Sequence, residues 1–232
     1  AGANTWKNVG EHSGDIAPAP LMRGSRGFAA CGHGKDSIDY FAIATLGNAT
    51  DFGNAVAPTD GKKGVTNITR AVMWNNNTTN TIEYITCATP GNAADFGDET
   101  AGAAGSNGAE CMGNGTRGIA MGRVEPSLNN IDYVTIATTG NATDFGDRTV
   151  AGARSGRGEN DTRAVSMGGG SGVNTIDYIT MATTGNATDF GDRTTSDYNG
   201  GGTGGAGRAI AIGGNLAQTV MEYVTIATTG NG

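Results

Sequence analysis

The sequence is poor in most of what builds an ordinary enzyme core. Charged residues make up 16% of the 232 positions and aromatics 6%. There are five prolines, three cysteines and two histidines. The cysteines, Cys31, Cys87 and Cys111, are odd in number and never spaced as Cys-x-x-Cys, which argues against a disulfide framework or a zinc site and for small buried side chains. No run approaches the ~18 apolar residues of a membrane span, so no membrane insertion is expected. The opening Ala1-Gly2-Ala3-Asn4-Thr5-Trp6 has no secretory-signal pattern. Cationic surface is also scarce. The net charge is −7 and the isoelectric point about 4.7, which disfavours binding to phosphate backbones, so no nucleic acid is expected as a partner.

Glycine, by contrast, is abundant, at 41 residues. It has no three-residue period, which excludes a collagen helix. Glycine and asparagine at this level penalise helices and favour short strands with tight turns. The low charge and recurrent apolar residues also argue against disorder.

One phrase recurs five times: Ile38-Asp39-Tyr40, Ile82-Glu83-Tyr84, Ile131-Asp132-Tyr133, Ile176-Asp177-Tyr178 and Met221-Glu222-Tyr223. A Gly-Asn-Ala-x-Asp-Phe-Gly string follows four of them and carries Phe52, Phe96, Phe145 and Phe190. An arginine precedes each triplet (Arg26, Arg70, Arg117, Arg163, Arg208) and opens a stretch alternating small and apolar residues. A period near 45 residues in a helix-poor chain predicts an all-β protein, a five-bladed β-propeller forming one domain over 1–232. The triplet strand is apolar on both faces, as a sheet sandwiched between neighbours requires. The repeated tyrosines and phenylalanines are the expected packing anchors between blades.

The last unit stops before any Asp-Phe-Gly. Trp6 lies 20 residues before Arg26, close to the 18 to 21 residues that separate each phenylalanine from its next arginine. Trp6 therefore stands in for the fifth phenylalanine. Residues 1–25 are expected to complete the last unit and close the ring by pairing the N- and C-terminal segments.

The arginine, the Gly-Gly turn (Gly168-Gly169, Gly213-Gly214), the Ile-Asp-Tyr strand and the later aromatic resemble a degenerate kelch repeat across essentially the whole chain. Unit one has Cys31-Gly32 and unit two Trp74-Asn75-Asn76 where Gly-Gly would stand. The longer string from Asn174 to Asp192 is similar to repeats of tail-fibre and other structural proteins of tailed bacteriophages, notably of marine and cyanobacterial hosts. That resemblance implies a virion component (fibre, appendage or decoration) on an extracellular particle. Its partners would be other virion proteins and a host-surface glycan or protein; assembly as a homo-oligomer is compatible with it.

Catalytic chemistry is sparse. His12 and His33 sit in separate polar loops with no repeated nucleophile nearby. Asp-Phe-Gly occurs without any kinase glycine loop and reads as a structural turn. The glycine run 200–207 lacks a phosphate-loop ending. Asp144 with Asp147, and Asp189 with Asp192, are too sparse for a calcium loop. No metal or cofactor is expected, and the chain reads as a non-enzyme. An enzyme would need an off-repeat acid pair, for which Glu110 and Glu159 are the candidates. Each repeated arginine precedes its acid by 13 to 15 residues. In a hairpin the two could meet as a structural ion pair, or form a ring of charges that binds an anion or sugar. The variable loops are the expected binding surface, with Trp74, Asn76, Arg123 and Tyr198 as contact residues. A carbohydrate-binding propeller lectin is the alternative function, using Trp74 and Tyr198 as unpacked aromatics and multivalency for avidity.

Overall fold

The computed structural model describes residues 24–59, 62–75, 79–100, 109–123, 127–153, 156–170, 172–196, 200–205, 207–214 and 220–232. Trp6, Asn76 and Tyr198 lie outside the described residues, as does the proposed closing segment up to residue 23. The described residues contain strands and no helix.

Five antiparallel meanders follow one another along the chain. The first holds β1 (Arg26–Gly32), β2 (Lys35–Ala42) and β3 (Thr50–Thr59). The second holds β4 (Lys63–Thr66), β5 (Arg70–Trp74), β6 (Thr81–Thr86) and β7 (Ala94–Asp98). The third holds β8 (Glu110–Gly113), β9 (Arg117–Arg123), β10 (Leu128–Thr135) and β11 (Thr143–Asp147). The fourth holds β12 (Gly156–Glu159), β13 (Arg163–Gly169), β14 (Val173–Thr180) and β15 (Thr188–Asp192). The fifth holds β16 (Gly201–Gly204), β17 (Arg208–Ile212) and β18 (Met221–Thr225). In each full sheet the arginine opens the second strand, the triplet lies in the third and Asp-Phe-Gly forms the fourth. The first sheet lacks its opening strand and the fifth its closing strand among the described residues.

Alternation along a strand explains the triplet. Residues of odd and even parity face opposite sides of the sheet. In β14, Ile176 and Tyr178 face the following sheet, while Asp177 and Ile179 face the preceding one. The arginine strand alternates in step. Arg163, Val165 and Met167 face forward and Ala164 and Ser166 face back, so large residues of one sheet meet small residues of the next. Among the described residues the hydrophobic core is accordingly not one mass but four, each lying between consecutive sheets. The fourth, for example, joins Val165, Met167, Ile176 and Phe190 to Ala209, Ala211, Val224 and Ile226. The other three repeat this composition.

Asp-Phe-Gly is not a turn, as its sequence suggested, but a bulged strand. Ile176 pairs with Gly191 and Asp177 with Asp189, leaving Phe190 as the extra residue. The bulge turns Phe190 into the core, edge-on to Tyr178 at 5.7 Å between centroids. The same contact recurs as Tyr40–Phe52, Tyr84–Phe96 and Tyr133–Phe145.

First strands of neighbouring sheets lie against one another, β4 on β8, β8 on β12 and β12 on β16. Around β12 the approach is close. A Cβ on Gly156 would stand 2.5 Å from that of Ala211. The arrangement is propeller-like, and the described residues do not show it closing.

Candidate functional site

Among the described residues, most of the polar residues that repeat are consumed at four seams between sheets. Each arginine lies over the tyrosine of its own sheet, 4.2 to 4.8 Å from the ring centroid. Register accounts for this, because Arg163 opposes Thr180, and Tyr178 is its diagonal neighbour on the same face. Four of the guanidinium groups then donate to carbonyls of the next sheet. Arg26 reaches Cys87 at 2.6 Å, Arg70 reaches Ala137 at 2.8 Å, Arg117 reaches Met181 at 2.7 Å and Arg163 reaches Ile226 at 2.9 Å. The expected pairing of each arginine with the acid of its own hairpin is therefore corrected. The acid points to the other face.

The acids meet donors on the side of the preceding sheet. Asp177 accepts from Arg148 Nε at 3.1 Å and from the Thr149 hydroxyl. Glu222 accepts from Arg193 Nε at 2.7 Å and from the Thr194 hydroxyl and amide. Glu83 accepts from Lys62 at 2.8 Å and from the Val56 amide. At the second seam a glutamate, Glu99, stands at the position of Arg148. Arg123 compensates by bridging Glu99 and Asp132, while Thr100 donates to Asp132. All four acids are buried, and such pairs are costly to break singly. At Glu222 burial pushes the carboxyl up. The Thr194 and Arg193 donors outweigh it and hold the group below the usual carboxylate range.

A third device joins the outer strands. Gly185 N–H donates to Phe145 O and Ala187 N–H to Asp147 O, both at 2.7 Å, and Asn186 Oδ1 accepts the Asp147 N–H at 3.1 Å. The same staple is made by Asn92, Asn141 and Asn231 at the other seams. It needs glycine after phenylalanine. Gly53, Gly97, Gly146 and Gly191 have φ of +142° to +148°, and a Cβ there would lie 2.4 to 2.7 Å from the next unit's Gly backbone.

Two of the expected surface contacts are internal. Trp74 is fully buried in the second seam, and Arg123 is buried in the ion-pair cluster just described. Neither is available to a partner from solution. The enzyme candidates are set apart by register. Glu110 begins β8 and pairs with Met121, whereas Glu159 ends β12 and pairs with Ala164, which puts the two carboxylates at opposite ends of adjacent first strands. Glu110 accepts from the Ser166 hydroxyl at 2.8 Å. Burial pushes the Glu159 carboxyl up, with Arg157 opposing it. His33 is exposed at the β1–β2 turn, while His12 is outside the described residues. No three His, Cys, Asp or Glu side chains converge among the described residues.

The sequence reading missed the seam donors Arg148, Arg193, Lys62, Thr149 and Thr194, and the stapling asparagines. The signal was present: Asp-Arg-Thr follows Asp-Phe-Gly at 147–149 and 192–194.

The two ends of the array differ from its interior. Phe41 and Ile43 of the first sheet are 45% and 63% exposed, whereas their counterparts Ile179 and Met181 are buried. At the far end Met221 and Tyr223 are 66% and 51% exposed, where Ile176 is fully buried. Beside β18 opens a cleft of about 480 Å³ lined by Phe190, Thr194, Met221, Tyr223, Thr229 and Gly230, among others. It lies where the full sheets carry their fourth strand, which the fifth sheet lacks among the described residues.

No protein family matches the chain, and no curated protein matches its sequence. A solved structure described as "Structure of YjhT" superposes with a TM-score of 0.68 and 9% identity, over 85% of this chain and 73% of that one. At that identity the likeness concerns the fold alone, and it supports a β-rich, propeller-like architecture.

Proposed function

We propose that this chain is a non-enzymatic structural protein of a bacteriophage particle, a fibre, appendage or decoration component. It mediates virion assembly or attachment to the host surface. Its partners are other virion proteins and a host-surface glycan or protein. The observation that carries this reading is the string from Asn174 to Asp192 and its near-copies, with their resemblance to tailed-phage structural repeats. The way the repeat is used supports it. The arginines and tyrosines of units one to four, with the acids and asparagines of units two to five, hold sheet to sheet, which suits a rigid scaffold presenting variable loops. Mass spectrometry of purified tailed particles from the source sample tests it. Peptides of this chain should co-purify with the particles, and their absence sinks the reading. The lectin alternative draws no support from Trp74, which is buried.

The fold part of the proposal is a five-bladed, kelch-like β-propeller closed by its terminal segments, with residues 1–25 completing the last unit. A residue spacing supports it. The 20 residues from Trp6 to Arg26 match the stretch that elsewhere links the fourth strand of one sheet to the second strand of the next. Closure would give Arg208 a carbonyl acceptor near Ile43, so Arg208→Ala should then destabilise as much as Arg163→Ala. In an open array Arg208→Ala should cost clearly less, since only the stack on Tyr223 is lost.

A further inference from the structure

The fifth sheet ends in a strand whose second edge has no strand partner among the described residues. In each of the other four sheets the equivalent edge is occupied by an Asp-Phe-Gly strand, in one register. The triplet's first residue opposes glycine, its acid opposes aspartate, and its tyrosine opposes threonine or alanine. The phenylalanine then packs edge-on against the tyrosine.

Everything that receives this strand is present at β18. Met221, Glu222 and Tyr223 stand in the triplet positions, Tyr223 presents an open ring, and the adjoining cleft is bounded by Phe190 and the segment 228–232. Arg208 already lies over Tyr223, 4.2 Å from the ring centroid. The tyrosine is therefore held by its arginine as in the interior units, and among the described residues it has no aromatic neighbour.

We propose that the open edge of β18 is a peptide-binding site. It takes an extended strand of the type Thr-Asp-Phe-Gly-Asp by β-sheet addition, with the aromatic seated on Tyr223. Met221 would oppose the incoming glycine, Glu222 the aspartate and Tyr223 the threonine. The argument rests on continuity with four interfaces of the same composition.

Under the closure reading the resident strand is Thr5-Trp6-Lys7, and the inference depends on that reading only for the resident. In sequence Lys7 aligns with Gly53, Gly97, Gly146 and Gly191, which have positive φ and where a Cβ would meet the next unit's backbone at 2.4 to 2.7 Å. A strand carrying the native Phe-Gly pair makes the contact without that collision. On that reading a free Phe-Gly strand would compete with the Trp-Lys one for the edge.

The test uses the full chain and a labelled synthetic peptide of residues 142–147, Ala-Thr-Asp-Phe-Gly-Asp, read by fluorescence anisotropy. A Trp6→Ala chain, which removes the resident aromatic, should bind the peptide. The peptide with alanine for phenylalanine should bind roughly tenfold more weakly or worse, since it loses the aromatic pair and its buried area. Tyr223→Ala in the chain should weaken binding comparably. Equal binding of the two peptides, or binding indifferent to Tyr223→Ala, overturns the proposal. Emission of Trp6, obtained as the difference between the full chain and Trp6→Phe, separates the two claims. A solvent-like Trp6 beside a chain that still discriminates the peptides refutes ring closure and supports the site.

Discussion

The staple between outer strands can be broken by one carbon atom. At Gly146 the backbone has φ +142°, and an added Cβ would lie 2.5 Å from the Gly185 carbonyl group and 2.8 Å from Asn186 N. These neighbours are backbone, so they cannot move aside as a flexible side chain does. Alanine at that φ costs about 2 kcal/mol in strain. If the strand shifts to relieve the collision, the two 2.7 Å backbone bonds and the Asn186 bond are lengthened or lost, at about 1 kcal/mol each. Part of this is recovered by water at the exposed rim, which leaves about 3–4 kcal/mol for Gly146→Ala. Gly91→Ala is the control. Gly91 takes part in the first staple through its N–H, yet a Cβ there meets nothing within 4 Å. It should stay within about 0.5 kcal/mol of the parent. Urea unfolding followed by circular dichroism measures both. A Gly146→Ala midpoint indistinguishable from that of Gly91→Ala would refute the account of why glycine follows phenylalanine.

The buried acids give further expectations. Glu99→Arg and Arg123→Gly should each destabilise by about 3 kcal/mol, since each leaves buried charge uncompensated. Together they rebuild the Arg148 type of seam, so a double-mutant cycle should show strong favourable coupling, and additive losses would refute the equivalence. Because the folded Glu222 carboxyl is held below its ordinary pKa, its contribution is present above the unfolded value near 4.3 and is lost as pH falls through the folded one. Glu222→Gln should therefore flatten the acid limb of a stability–pH curve measured by urea unfolding. Burial pushes the Cys111 thiol up to about 12, so it should not react with a thiol reagent at pH 8 until the chain is unfolded. The half-buried Cys31 should be modified first, as peptide mapping would show.

How much the sequence disclosed depended on how far apart the partners lie. The repeat, the strand content and the aromatic anchors were readable because each is a local pattern: a period, an alternation, a residue at fixed spacing. The arginine–acid relation was misread for a physical reason. Arg163 and Asp177 are close along one hairpin, and proximity suggested a pair, but the two-residue alternation sends them to opposite faces. Asp177 finds Arg148 instead, 29 positions earlier and in another sheet. Trp74 was misjudged similarly. It stands where a Gly-Gly turn was expected, beside a variable loop, yet it ends a strand whose forward face is covered by the third sheet. What the repeat itself offered, unread, was a comparison among its own copies. Where Arg148 and Arg193 become Glu99, an arginine appears at position 123, opposite in charge and aligned with Gly169 of the next unit. A charge reversal answered by a newly introduced opposite charge within an otherwise uniform array identifies side chains in contact, and it does so with no alignment beyond the chain itself.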